Sequence, residues 1–132
     1  MDTELLRIAV GNRQIVDLTG EVTRFCRGRG DGLVNVFAPH ATAGLALLEV
    51  GSGSEADLAA ALERLLPRDD RYRHRHGAVG HGADHVLPAL VSPTLVVPVL
   101  DGIPALGTWQ SVVLVDTNGD NPERTVRLSF LD

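Results

Sequence analysis

Arg124-Thr-Val-Arg-Leu-Ser-Phe-Leu131 decides the fold class. Val126, Leu128 and Phe130 fall on one side of an extended chain, and Thr125, Arg127 and Ser129 on the other. That period of two marks a strand with one buried face. Glu4 to Val10 repeats it, with Leu6, Ile8 and Val10 together. Gln14–Leu18, Gly32–Phe37, Leu45–Glu49, Thr94–Leu100 and Trp109–Val115 are further strands, several rich in the valine, leucine and isoleucine that suit a pleated, buried surface. Pro98 offers no ladder donor and places its strand at an edge or a bulge.

Two or three helices interrupt these strands. Ser54-Glu-Ala-Asp57 has the spacing of a capping box, a hydroxyl followed three residues later by a carboxylate. Leu58, Leu62 and Leu65 then recur at helical spacing until Pro67. A shorter helix follows Thr19-Gly20, with Val22, Phe25 and Cys26 on one side and Gly28 at its end. A third starts near Asp84 and runs through His85, because Pro88 is tolerated only close to a first turn. Strands joined mainly by turns, with few helices, predict an α+β domain built on a mainly antiparallel β-sheet sandwich.

The 132 residues form a single domain, 1–132, long enough to bury a core without a disulfide or metal staple. The lone Cys26 excludes an intrachain disulfide and fits a reducing compartment, so the expected location is cytoplasmic. Met1 to Arg7 lacks the basic and apolar regions of a signal peptide. No apolar run approaches the ~20 residues of a membrane span. The net charge of −5 argues against nucleic acid as a partner. The basic stretch Arg68 to His76 also contains Asp69 and Asp70, and reads as a solvated loop that meets an anionic small molecule.

Four of the five histidines, His74, His76, His81 and His85, lie within twelve residues. Imidazole titrates near neutrality and is the commonest metal ligand, so this stretch is the foremost candidate for chemistry. Three imidazoles suffice to hold a zinc-like ion with one position left open. His81 and His85 have the i, i+4 spacing of a ligand pair, but Gly82 and Pro88 argue against one helix carrying both. His76 reads as an exposed loop residue. The fifth histidine, His40, ends a buried strand before the small-residue turn Ala41-Thr-Ala-Gly44, where it is either a satisfied structural histidine or a site residue. Glu49 closes the next apolar run, as a strand-end charge or as a base. Trp109-Gln110 offers a flat wall and an amide, or a core tryptophan. No phosphate-binding glycine loop, CxxC pair or nucleophile elbow is present.

Gly32-Leu-Val-Asn-Val-Phe-Ala-Pro-His40-Ala-Thr-Ala, Glu49, Tyr72-Arg-His74, Ala83-Asp-His85, Pro98-Val-Leu-Asp-Gly102 and Gly107-Thr-Trp-Gln110, in this order, resemble the YjbQ family, also called the secondary thiamine-phosphate synthase family. The resemblance implies a compact α+β fold, a homotrimer, and a polar pocket framed by His40, His74 and His85, with Glu49, Trp109 and Gln110 also matching. It also implies a weak ability to supply thiamine phosphate. Three departures stand out. His81 occupies the place of the family's usual asparagine, and Asp116 that of its usual glutamate. The turn that follows is rewritten as Asn118-Gly-Asp-Asn-Pro-Glu-Arg124, where Arg124 stands for the family's arginine.

These features predict an enzyme acting on a small, anionic, phosphorylated or heterocyclic metabolite. His40, His74 and His85 are the expected ligands of a divalent metal, zinc or a similar ion. Glu49 orients an imidazole or acts as base, Trp109 stacks on a ring beside Gln110, and Arg124 or Arg73 meets the anion. The alternative is a non-catalytic homotrimer that binds a metabolite or a metal through the same residues.

Overall fold

The computed structural model describes residues 1–132. Eight strands and three helices follow in the order β1 (Asp2–Ala9), β2 (Ile15–Asp17), α1 (Thr19–Cys26), β3 (Gly32–Phe37), β4 (Ala43–Leu48), α2 (Ser54–Leu65), α3 (His81–Leu90), β5 (Thr94–Leu100), β6 (Ile103–Pro104), β7 (Ser111–Asp116) and β8 (Glu123–Leu131). The strands form a five-stranded sheet, β1-β8-β3-β5-β6, and a three-stranded sheet, β2-β7-β4. Every pairing is antiparallel. The chain is an α+β domain with antiparallel sheets, as its alternation predicts. No helix is long and apolar enough to cross a membrane.

The alternating residues meet where the two sheets face each other. Leu6, Ile8, Val34, Val36, Val97, Val99, Val126 and Leu128 come from the large sheet, and Val16, Leu45, Val112 and Leu114 from the small one. Helix α1 adds Val22, Phe25 and Cys26. It is tied to β7 by the Val112 N–H, which donates to Thr19 Oγ1 at 2.9 Å. Burial pushes the Cys26 thiol above its ordinary pKa, opposed by the Arg29 charge, which marks it as a core residue rather than a reactive one.

Strand β7 does not alternate, because both of its faces are covered. Val112 and Leu114 enter the main core, while Val113 and Val115 join Leu62 of α2 and Leu87 of α3 in a second apolar cluster. Helices α2 and α3 therefore lie on the outer face of the small sheet. Gly44 of β4 admits the approach of α3, since a Cβ there would collide with the Val91 carbonyl.

Several local expectations are corrected. Helix α2 begins at Ser54 as its spacing predicts, but the capping box does not form. Gly53 enters the helix at φ 101°, and Glu55 instead accepts the Gly51 N–H at 3.1 Å. Leu65 is exposed, and Leu66 packs on the second cluster in its place. Helix α3 begins at His81 rather than near Asp84. Gly80, at φ 86°, turns the chain into it, and Pro88 sits inside it. Leu87, on that same turn, is fully buried, so packing outweighs the missing donor. Trp109 and Gln110 precede β7 instead of lying in it. Pro98 lies beyond the short β6 ladder, where its carbonyl accepts the Ala105 N–H at 2.8 Å.

Leu87→Ala removes the side chain that seats α3 on β7. Deleting a fully buried leucine typically costs about 2–5 kcal/mol. Urea unfolding should show that loss, with no change expected in the position of the large sheet.

Candidate metal centre

The site is made by folding the loop after α2 back onto the first turn of α3. Tyr72 Oη donates to Pro67 O at 2.8 Å, closing the start of that loop. Gly82, on α3, lets the loop lie flat. A Cβ there would fall 2.5 Å from Tyr72 Cβ and 2.8 Å from His74 O. His81 and His85 stand one turn apart on α3, and the loop lays His74 and His76 over them.

The four rings are crowded. The His74 centroid is 4.1 Å from those of His76 and His85, and the His81 and His85 centroids are 4.5 Å apart. One nitrogen from each of His74, His76, His81 and His85 lies within 4.8 Å of all the others. His81 Nε2 and His85 Nε2 are 2.9 Å apart, so a proton or a cation must sit between their lone pairs. His81 is buried and His85 half-buried, while His74 and His76 are exposed. A cleft of about 260 Å³ opens beside the rings, walled by His74, His81, Arg75 and Asp70.

The pKa values of His74 and His85 lie below the ordinary histidine value. Loss of hydration is the first cause for each, and charge on the neighbouring imidazoles adds to it. Rings this close resist sharing positive charge. The neutral, metal-ready forms are thereby favoured.

Behind the rings lies a layer of carboxylates. Asp84 is fully buried. Its Oδ1 accepts from the Arg68 guanidinium and from Thr117 Oγ1, the latter at 2.6 Å. Its Oδ2 has no hydrogen-bond partner. His81 Nδ1 lies 3.9 Å from Asp84 Oδ2 and 3.8 Å from Asp120 Oδ2. Thr117 and Asp120 come from the β7–β8 connection. That connection is pinned by Arg124, whose Nε donates to Asp116 Oδ2 at 2.5 Å and whose Nη2 donates to Asn118 O at 3.2 Å.

His74 and His85 thus come together, with His76 and His81 rather than with His40. His40 Nε2 lies 3.0 Å from the Thr125 N–H, which it accepts, and 3.0 Å from the Thr125 carbonyl. It takes up the β8 backbone where β3 has ended, which occupies that nitrogen. Arg124 faces inward to Asp116 rather than toward the cleft, and both side chains are buried. Glu49 is exposed at the end of β4. Trp109 is 73% exposed, and Gln110 Oε1 accepts the Gly107 N–H of its own turn at 2.8 Å. Arg73 is exposed on the loop. His76 and His81 belong to the histidine cluster that the sequence singles out, but neither stands among its expected ligands; the structure puts both in the centre. Asp84, Arg68, Thr117 and Asp120 carry no local signal of a role there, because the fold alone brings them to it.

Residues 4–132 match the family described as UPF0047 protein YjbQ-like. A UPF0047 protein of Mycobacterium tuberculosis is 62% identical over 132 residues, covering 100% of this chain and 99% of that protein. Another, from Archaeoglobus fulgidus, is 35% identical over 114 residues, covering 86% of this chain and 88% of its own. The crystal structure of a hypothetical protein from Aeropyrum pernix K1 superposes with a TM-score of 0.88 at 30% identity, covering 99% of this chain and 98% of that one. A YbjQ-like protein of unknown function from Sulfolobus solfataricus P2 shares the fold, with a TM-score of 0.89 at 22% identity and coverage of 98% and 95%.

A histidine whose folded pKa is depressed stays neutral while the unfolded chain takes up its proton. Its contribution is therefore present at neutral pH and is lost as the pH falls through the ordinary value of about 6.5. The melting temperature of the metal-free protein should drop between about pH 7.5 and about pH 5.5. The drop should be shallower in a His74→Asn/His85→Asn variant, and equal slopes would show that these rings carry no such linkage.

Proposed function

Because the chain belongs to the YjbQ-like UPF0047 family, whose matched members carry no stated activity, we propose that it is a metal-dependent protein that binds, and in the first reading transforms, a small anionic metabolite. The observation that carries this reading is the set of four imidazole nitrogens within 4.8 Å of one another. Nitrogen donors of this kind suit zinc or a similar divalent transition ion and not magnesium, which prefers oxygen. His81 and His85 supply the rigid half of the centre from α3, and His74 and His76 the loop half. Four bound imidazoles would close a tetrahedral shell; with the exposed His76 left out, the other three would leave one position for a ligand or for water, whose pKa such an ion would lower toward neutrality. His74 and His81 also wall the adjacent cleft, which Asp69, Asp70 and Arg75 line as well, so a small polar ligand in it would lie beside the ion, with Arg75 to meet an anionic group.

The thiamine-phosphate synthase-like transfer implied by the resemblance joins a pyrimidine pyrophosphate to a thiazole phosphate. Such chemistry calls for magnesium and several phosphate donors. An all-imidazole centre fits it poorly, and we treat that transfer as incidental to the protein's main role. A second, non-catalytic reading has its own support. The arginine expected to meet the substrate, Arg124, is used up internally by Asp116. In that reading the centre binds a metal or a metabolite without turnover. Cytoplasmic residence accords with the single buried thiol, Cys26.

Metal content per chain should be measured on untagged protein purified without chelator. About one zinc-like ion per chain, lost in a His81→Ala/His85→Ala variant that remains folded, is the expected result. Absence of stoichiometric metal, together with no uptake of added zinc, would sink the metal reading.

The homotrimer implied by the resemblance has support in the outer face of the large sheet. Leu5, Leu33, Phe37, Val96, Leu100 and Leu131 are exposed there. Leu33 pairs directly with Leu131, and Asn35 with Val96, so these side chains share one surface. Asn35, Thr94 and Arg127 lie among them on the same face, and exposed apolar side chains gathered within a polar frame favour an interaction site there. Sedimentation at micromolar protein should give a trimer, converted to smaller species by Leu33→Glu. A wild-type particle of 14.1 kDa would rule out the assembly.

A further inference from the structure

Asp84 holds the one buried side-chain oxygen or nitrogen in the molecule without a hydrogen-bond partner, Oδ2. Buried polar atoms left unpaired are rare in native proteins, and a missing ligand or ion is among the usual reasons. This oxygen lies 3.9 Å from His81 Nδ1, within ion-pair range but longer than a direct hydrogen bond, so a small turn of the ring would close the contact. The other oxygen, Oδ1, is held by Arg68 and Thr117, so the carboxylate cannot turn away.

We propose that Asp84 is the positioning residue of the imidazole cluster: its Oδ2 keeps His81 protonated on Nδ1, so that the lone pair of Nε2 faces the shared donor centre. The inference deepens the metal reading above, since a carboxylate behind an imidazole is the usual partner of a metal-bound histidine. It also explains the 2.9 Å contact between the two Nε2 atoms. With Nε2 of His81 unprotonated, the proton between the rings belongs to His85, whose neutral ring would carry it on Nδ1 instead of Nε2 once an ion takes the Nε2 lone pair.

Two features make the assignment specific. Asp120 Oδ2 is as close to His81 Nδ1, at 3.8 Å, but its side chain is 61% exposed on the β7–β8 connection, where water competes for it. Asp84 is on the same helix as His81, three residues on, and is wholly buried. The environment of Asp84 also makes Asp84→Asn a decisive substitution. Arg68 and Thr117 both present donors to the Oδ1 position, so an asparagine must turn its carbonyl toward them. Its amide NH₂ then faces His81 Nδ1 and, as a donor, selects the opposite tautomer, with the proton on Nε2.

The test reads tautomer and affinity separately. Long-range nitrogen–proton correlation spectra of the metal-free wild-type protein should show His81 protonated on Nδ1 and His85 on Nε2. In Asp84→Asn the His81 proton should move to Nε2, and zinc affinity should fall about 10- to 100-fold. Asp120→Asn should change neither. In a His81→Ala background Asp84→Asn should have no further effect on zinc affinity, because its action runs through that ring. A wild-type His81 proton on Nε2, an unchanged affinity in Asp84→Asn, or the same loss in the His81→Ala background would each overturn the proposal. The wild-type spectrum needs no variant, so it decides even if Asp84→Asn fails to fold. A wild-type protein that takes up no zinc, yet shows the Nδ1 tautomer, would defeat the metal reading alone.

Discussion

Strand β7 is covered on both faces, and the rest of the molecule is arranged around that fact. Val112 and Leu114 close the space between the sheets, and Val113 and Val115 receive the two outer helices. A strand buried on both sides carries a continuous apolar run in place of an alternation, as Ser111-Val-Val-Leu-Val-Asp116 does. The three layers that result are the large sheet, the small sheet, and the α2–α3 pair. Loss of the outer layer removes the site, because its histidines come from α3 and from the loop between α2 and α3.

The functional region depends on a few close approaches that side chains larger than glycine would block. Gly44 lets α3 end against β4, and Gly82 lets the Tyr72–His74 segment lie on α3. The buried Asp116–Arg124 pair then brings the β7–β8 connection up to the back of the cluster, where Thr117 reaches Asp84 and Asp120 faces His81. Breaking one partner of such a pair leaves an uncompensated buried charge, a loss of several kcal/mol. Arg124, which stands at the place of a family site residue, thus acts here through architecture.

The expectations for His40 and for the start of α3 differ from the structure for related reasons. His40 reads as a ligand because it closes an apolar run beside small residues. Its nitrogen instead meets the β8 backbone at Thr125. Local sequence does not reveal which strand lies beside a strand end. The start of α3 near Asp84 rests on the helix-breaking character of Gly82 and Pro88. Burial of Leu87 and the turn at Gly80 extend the helix back to His81, because tertiary packing outweighs propensity over so short a segment.

The sequence by itself determined the antiparallel α+β class, most of the strands, the α1 and α2 segments, and the twelve-residue window that holds four histidines. These are local properties, set by side-chain periodicity and by the clustering of one residue type. Only the tertiary structure decided which histidines meet, that His40 stands apart from them, and that Asp84 is buried with one oxygen unpaired. The contacts that settle those points join residues far apart in the chain, such as Arg68 with Asp84, Thr117 with Asp84, and His40 with Thr125. Their geometry follows from how whole layers pack, which no local pattern of residues encodes.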